Sequence, residues 1–282
     1  MTKNLVLQGP QSSLETLDRL ARLAHPARTQ AIGEHALRCE DVALTPELKE
    51  RIDTAAYEAG VDACFIDAGV KLADFGLVAM DMDSTLITIE CIDEIADMQG
   101  LKAQVSEITE AAMRGELDFA ASLTRRVALL EGLDAGALQR VYDERLRISP
   151  GGEAMLKAVQ AAGLRTLLVS GGFTFFTDRL KERLALDYTH ANVLEVANGK
   201  LTGRVVGGIV DAEEKRRTVE RVCADLGILP SRAIVMGDGA NDLRMMGVAG
   251  LSLAFRAKPV VRQQASVALN FCGLDGLLNI IG

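Results

Sequence analysis

Two carboxylates stand one residue apart in Asp81-Met82-Asp83-Ser84-Thr85-Leu86, directly after the apolar run Phe75 to Met80. Charges are rarely placed at the end of a buried strand unless something binds there. One carboxylate can attack phosphorus to give an aspartyl-phosphate. Its neighbour can serve as acid and then as base, and either can help hold a hard cation. A lone Asp-x-Asp more often marks a turn or a helix cap, so the weight rests on three later segments of complementary chemistry.

Ser170-Gly171-Gly172 follows the apolar segment Leu164–Val169. Its glycines let the backbone approach an anion, and its hydroxyl and free N–H groups suit phosphate oxygens. Within Asp211-Ala212-Glu213-Glu214-Lys215-Arg216-Arg217 a cation is available to neutralise phosphate. The charge run alone does not choose among Lys215, Arg216 and Arg217. Gly237-Asp238-Gly239-Ala240-Asn241-Asp242 follows another apolar strand and supplies three oxygen-bearing side chains that suit Mg²⁺. Together the four segments provide a nucleophile, a proton carrier, a cation site and phosphate donors. Phosphoryl transfer needs that inventory, because its catalysis is mostly positioning and charge neutralisation.

The elements that must position these residues alternate. Strands are expected at 75–80, 164–169, 233–236, 251–255 and 267–269, with helices between them, the last of these ending at Gly227. That alternation implies a parallel, doubly wound sheet, whose ligand sites lie at strand ends. Asn198-Gly199 joins Val193–Val196 to Leu201–Val206 as a two-residue hairpin. From Cys91 to Ser149 only helical spacing recurs, with Asp134 expected as an N-cap, so residues 91–149 read as a helical insert. Residues 1–72 stand apart. A strand at 3–7, a helix after Ser12 or Ser13, strands at 28–32 and 35–38, a helix opened by Thr45-Pro46 and a strand at 61–66 give β-α-β-β-α-β, the ferredoxin-like order. A linker is expected at 67–74, with the catalytic core at 75–90 and 150–282.

Composition removes several classes. The chain has 282 residues, 49% apolar and 25% charged, with a net charge of −8. That balance is globular and argues against non-specific nucleic-acid binding. No apolar stretch has the length of a membrane span, and the apolar N-terminal segment is too short for a secretory signal. Five scattered cysteines without a Cys-x-x-Cys pair read as buried free thiols of a cytoplasmic protein. No Gly-x-x-x-x-Gly-Lys-[Ser/Thr] or Gly-x-Gly-x-x-Gly run is present, which argues against a P-loop nucleotidase and a dinucleotide enzyme.

Over roughly residues 75–282 the chain resembles the haloacid dehalogenase-like (HAD) phosphatases, and among them those acting on phosphoserine. The resemblance lies in Asp81–Ile87 running on to Glu90-Cys91-Ile92-Asp93-Glu94-Ile95-Ala96, then Ser170-Gly171-Gly172-Phe173, Lys215 and Gly237–Asp242, in that order. It implies a HAD-like α/β core with a helical cap. It implies Asp81 as nucleophile and Asp83 as the acid that protonates the departing serine oxygen and then activates water. It implies Mg²⁺ on the Asp81 carboxylate, the Asp83 backbone carbonyl and Asp238, with Asp242 supporting the metal from outside and Asn241 ordering loop and substrate. Ser170, Gly171 and Gly172 would hold the phosphoryl group, and Lys215 would offset its charge. In the cap, Glu90 would face the ammonium of O-phospho-L-serine and Arg126 its carboxylate, with Met113 and Phe119 as an apolar wall. Arg125, beside Arg126, is the competing assignment. The N-terminal segment more weakly resembles an ACT-like regulatory domain, which could bind an amino acid, form a homodimer or simply pack. The expected reaction is the last step of serine biosynthesis. The alternatives are a phosphatase or phosphotransferase for another small phosphomonoester, and a non-catalytic amino-acid sensor.

Overall fold

In the first segment, strand β1 (Thr2–Gln8) leads to helix α1 (Leu14–Ala24), whose N-cap Ser13 accepts the Thr16 N–H. Strands β2 (Arg28–Gly33) and β3 (Ala36–Ala43) follow, then helix α2 (Pro46–Glu58), capped by Thr45 with proline in its first turn. Strand β4 (Asp62–Ile66) closes the segment. The sheet order is β2-β3-β1-β4, antiparallel throughout, which is the ferredoxin-like arrangement. The computed structural model describes residues 2–113 and 116–282, apart from the side chains of 112 and 113.

Alternation along β1 shows why its apolar run is unbroken. Leu5 and Leu7 pack under α1 and α2, whereas Val6 faces the rest of the protein with Cys64 and Ile66. Polar contacts finish this seam. The buried Asp62 carboxylate accepts the N–H groups of Asn270, Phe271 and Cys272, and Arg38 donates to the Asn279 carbonyl.

Strand β5 (Leu77–Met80) begins the second sheet. A helical stretch then comprises α3 (Cys91–Asp97), α4 (Lys102–Met113), α5 (Phe119–Ala128) and α6 (Gly136–Arg140). Helix α7 (Gly152–Ala161), strand β6 (Arg165–Phe173), helix α8 (Thr174–Leu184), strands β7 (Tyr188–Ala197) and β8 (Lys200–Val206), and helix α9 (Ala212–Asp225) continue the chain. It ends with β9 (Ala233–Gly237), α10 (Leu243–Met246), β10 (Leu251–Phe255), α11 (Pro259–Gln264), β11 (Val267–Leu269) and α12 (Gly276–Ile281).

The order β11-β10-β9-β5-β6-β7-β8 is parallel except for the β7–β8 hairpin. Val78 and Met80 of β5 point into one buried cluster, and Leu77 and Ala79 into the other, so helices cover both faces. Strand order reverses at β5, which therefore ends at a topological switch point, where open α/β sheets bind ligands.

Three expectations need correction. Asp134 is not the N-cap of α6. That position belongs to Ala135, and the Asp134 carboxylate accepts the Gly136 N–H from one residue further out. The strand expected to end at Val169 continues through Ser170-Gly171-Gly172 to Phe173 as β6, whose pairing with β7 shifts register between Val169 and Phe173. The strand expected at 193–196 is the end of the longer β7, while Asn198 and Gly199 both take positive φ, as a type I′ turn requires. All five cysteines are buried and free. Among the described residues, no helix is long and apolar enough to cross a membrane.

Candidate active site

Asp81 is the first residue after β5, and the chain turns away from it at once. Asp83 is extended and Ser84 takes φ 55°, a type II-like turn built without glycine. The strain is answered locally: Ser84 N–H donates to the Ile89 carbonyl and its hydroxyl to Glu90. The Asp81 carboxylate accepts the Met82 N–H at 2.7 Å. Asp83 accepts the Cys91 N–H at 3.0 Å, so the start of α3 fixes one of its oxygens.

Helix α9 is capped by Asp211 and buries Lys215, Thr218, Val219, Val222 and Cys223 along one stripe. Lys215 therefore points inward while Arg216 and Arg217 pair outside with Glu213. The Lys215 ammonium is fully buried, 2.9 Å from Asp81 Oδ1 and 2.8 Å from Asp242 Oδ1. Burial opposes its charge, but Asp242 and Asp81 outweigh that cost and raise its pKa. The other oxygen of Asp242 accepts the N–H groups of Asp238 and Gly239. With Lys215 on one oxygen and two amides on the other, Asp242 orders the loop after β9.

Ligand oxygens of Asp81, Asp238 and Asp242 lie within 4.8 Å of one another. Thr85 donates to Asp238 at 3.2 Å. Burial, followed by Asp242, pushes the Asp81 carboxyl above the ordinary range, with Lys215 pulling it back. Burial, followed by Asp242 and Glu90, pushes Asp238 up to about 6. Burial and Glu90 push Asp83 up to about 7 against the Cys91 N–H. The set thus carries more buried negative charge than its one ammonium offsets. Hard oxygen donors with excess charge suit a divalent cation such as Mg²⁺.

Ser170 is buried and its hydroxyl accepts the Gly172 N–H at 2.8 Å. Both glycines are required by close approach. A Cβ on Gly171 would lie 2.7 Å from Phe119 Cζ, and one on Gly172 would lie 2.8 Å from Asp83 Oδ2. The loop backbone thus touches the proposed acid on one side and α5 on the other.

One cavity of about 360 Å³ receives these groups. It is lined by Asp81, Asp83, Asp238, Asn241 and Ser170 to Gly172 from the sheet edge, together with Glu90, Phe119, Leu123 and Arg126. Arg125 is exposed, whereas Arg126 is half-buried with its Nε orphaned. Burial lowers the Arg126 pKa, with Asp93, Glu90 and Asp83 favouring its charge. Glu90 stands at the rim. The Met113 side chain lies outside the described residues. A larger groove of about 680 Å³ between α2 and α11 is lined by neither the Asp81 cluster nor the Ser170 loop, so cavity size does not mark the chemistry here.

Several positions in or beside the cavity were given no role in the sequence reading. Asp93 and Lys258 line the cavity, and Lys258 N–H donates to the Asp238 carbonyl. Asp93 falls three residues after Glu90, and Lys258 follows a parallel strand end, so both carried a positional signal. Asn192 carried none. It is buried in β7, where its amide donates to the Gly171 carbonyl and accepts the Val210 N–H.

Comparisons with known proteins bear on the family and the fold. The family model for haloacid dehalogenase-like hydrolases matches residues 78–247. A phosphoserine phosphatase of Polaromonas sp. strain JS666 is 58% identical over 217 residues, 75% of this chain and 92% of that one. The fold is similar to a HAD family hydrolase from Salmonella enterica serovar Typhi, with TM-score 0.91 and 34% identity over 99% of this chain and 98% of that one. It is also similar to a phosphoserine phosphatase solved as an analogue of its phospho-aspartyl intermediate, with TM-score 0.69 and 38% identity over 74% of this chain and 99% of that one.

Proposed function

The chain belongs to the haloacid dehalogenase-like hydrolases, and from that premise we propose how its cavity works. It hydrolyses O-phospho-L-serine to L-serine and phosphate. Residues 75–90 and 150–282 serve as catalytic core, 91–149 as cap, and 1–72 as an appended ACT-like domain.

Asp81 attacks phosphorus from the end of β5, and the bond between phosphorus and the serine oxygen breaks. Asp83 gives its proton to that oxygen, which leaves as the serine hydroxyl. The aspartyl-phosphate so formed is opened by a water whose proton returns to Asp83, releasing phosphate and restoring Asp81. Ser170 and the backbone of Gly171 and Gly172 orient the phosphoryl oxygens, and Lys215 offsets their charge. A bound Mg²⁺, on Asp81, the Asp83 carbonyl and Asp238, would add neutralisation of the phosphoryl oxygens.

The orphaned Nε of Arg126 in the same cavity as Asp81 carries the substrate assignment. A buried guanidinium atom without a partner calls for an acceptor, and the carboxylate of phosphoserine supplies one. Glu90 at the rim offers the opposite charge to its ammonium. Phosphate release with Mg²⁺ from O-phospho-L-serine, O-phosphoethanolamine and glycerol phosphate tests the reading. A clear preference for phosphoserine is expected. Equal turnover of all three removes the carboxylate role of Arg126, and turnover only with an added acceptor alcohol indicates phosphotransfer.

A further inference from the structure

Helix α5 carries Phe119 and Arg126, yet it lies far along the chain from both joints of the helical stretch, where Ile87 and Ile148 form a bridge. Helix α4 packs against it within the helical stretch, and from outside that stretch the β7–β8 hairpin holds it from the side. Gly132 N–H donates to the Leu201 carbonyl, Leu201 N–H to Leu133, and Ala135 N–H to Gly199, each at 2.8 Å. Asp134 and Lys200 add an antiparallel bridge. At Gly203 the contact is closest. Its φ is 76°, and a Cβ there would lie 2.9 Å from Glu131 Cβ and 3.3 Å from both Cα and O of Ala128. Ala128 ends α5, two residues after Arg126.

The same hairpin grips the phosphate side. Asn192 of β7 holds the Gly171 carbonyl at 2.7 Å and the Val210 N–H at 2.8 Å. One ribbon therefore touches the backbone that would hold the phosphoryl group and the helix that would read the carboxylate. Those two groups are tethered by only a few bonds in phosphoserine, so their separation is bounded and the span between their receptors decides whether both engage at once. We infer that the β7–β8 hairpin sets this span, with Gly203 the positioning residue for carboxylate recognition through Arg126. The inference rests on the phosphoserine reading above.

The test compares kcat/KM for O-phospho-L-serine and O-phosphoethanolamine, which lacks the carboxylate, in Gly203→Ala and Ala135→Pro. Gly203→Ala pushes α5 outward but also strains a positive φ. Ala135 already has φ −61°, which proline accepts, so proline there removes the N–H to Gly199 and sets its ring against that carbonyl, parting hairpin and helical stretch at a second point without straining a positive φ. The expected result is a loss of about tenfold on phosphoserine, with phosphoethanolamine within about twofold. In an Arg126→Ala background that selective loss vanishes, because the guanidinium it acts through is gone. Parallel losses on both substrates, no loss on either, or a selective loss that persists without Arg126 overturns the inference. Failure of the phosphoserine reading is distinguishable, since the wild-type enzyme would then show no preference between the two substrates.

Discussion

Gly171 and Gly172 are adjacent, yet adding one methyl group to each is expected to damage different steps. At Gly172 the new Cβ would stand 2.8 Å from Asp83 Oδ2 and 2.8 Å from Met82 Cε, against ordinary contact beginning at 3.4 Å. Gly172 has no positive φ, so the whole effect comes from contact. Cys91 N–H pins the other Asp83 oxygen and Met82 is buried, so about 0.6 Å of displacement reaches the proton-transferring oxygen, with a smaller push on Ser170 Oγ, which would lie 3.0 Å away. Misplacement on the order of 1 Å costs about 10²-fold in rate. Gly172→Ala is therefore expected to lower kcat by about 10- to 100-fold with KM changed little. At Gly171 the nearest atom is Phe119 Cζ at 2.7 Å, the far end of an aromatic ring on α5. Gly171→Ala is expected to raise KM, with a smaller effect on kcat. Overpacking of this kind costs about 1–3 kcal/mol of stability in either variant. Steady-state kinetics on phosphoserine, with thermal melts as control, give the answer. A Gly172→Ala enzyme with unchanged kcat would refute the placement of Asp83 as acid and base, and identical kinetic changes in both variants would refute the division of labour.

Asp81→Asn removes the nucleophile and one member of an overcharged cluster, so turnover is expected to fall by more than about 10⁴-fold while the melting temperature is kept or raised; residual activity near wild type contradicts the role. Arg126→Ala is expected to cost about 10- to 100-fold in kcat/KM for phosphoserine, the worth of a charged hydrogen bond, and little for phosphoethanolamine. Chelation of divalent cations is expected to abolish phosphate release, with recovery on adding Mg²⁺ and a cation-dependent rise in melting temperature, because an ion that binds the folded acidic cluster stabilises it; full activity in chelator ends the magnesium assignment. Asp62→Ala strips three backbone N–H groups at Asn270, Phe271 and Cys272 of their acceptor. A loss of about 1–3 kcal/mol and faster amide exchange confined to residues 270–272 are expected; unchanged exchange there refutes the clamp.

Much of the core was legible because a parallel strand buried on both faces leaves an unbroken apolar run, and the first polar residue after it falls at the ligand-binding edge. Asp81, Ser170 and Asp238 are all found that way. Lys215 was ambiguous beside Arg216 and Arg217, although stepping back four residues from Val219 lands on it and on the buried stripe of α9. Arg126 differs from Arg125 only in which side of α5 meets the cavity, and that depends on how the helix is rotated by its neighbours. The positive φ of Ser84 left no trace because serine is not the residue such a turn favours.

Positions fixed by long-range closure leave the faintest signal. Asn192 lies among strand formers, and its two partners, Gly171 and Val210, are each 18 or more residues away. Gly203 looks like a flexible spot in a hairpin until Ala128 and Glu131 are brought against it. Both act across gaps between elements that local patterning treats as independent. Strand-end chemistry follows from composition and order along one element, whereas the distance between two receptor groups depends on how separate elements pack. A single chain can therefore announce which reaction its core performs while keeping hidden the dimensions that select its substrate.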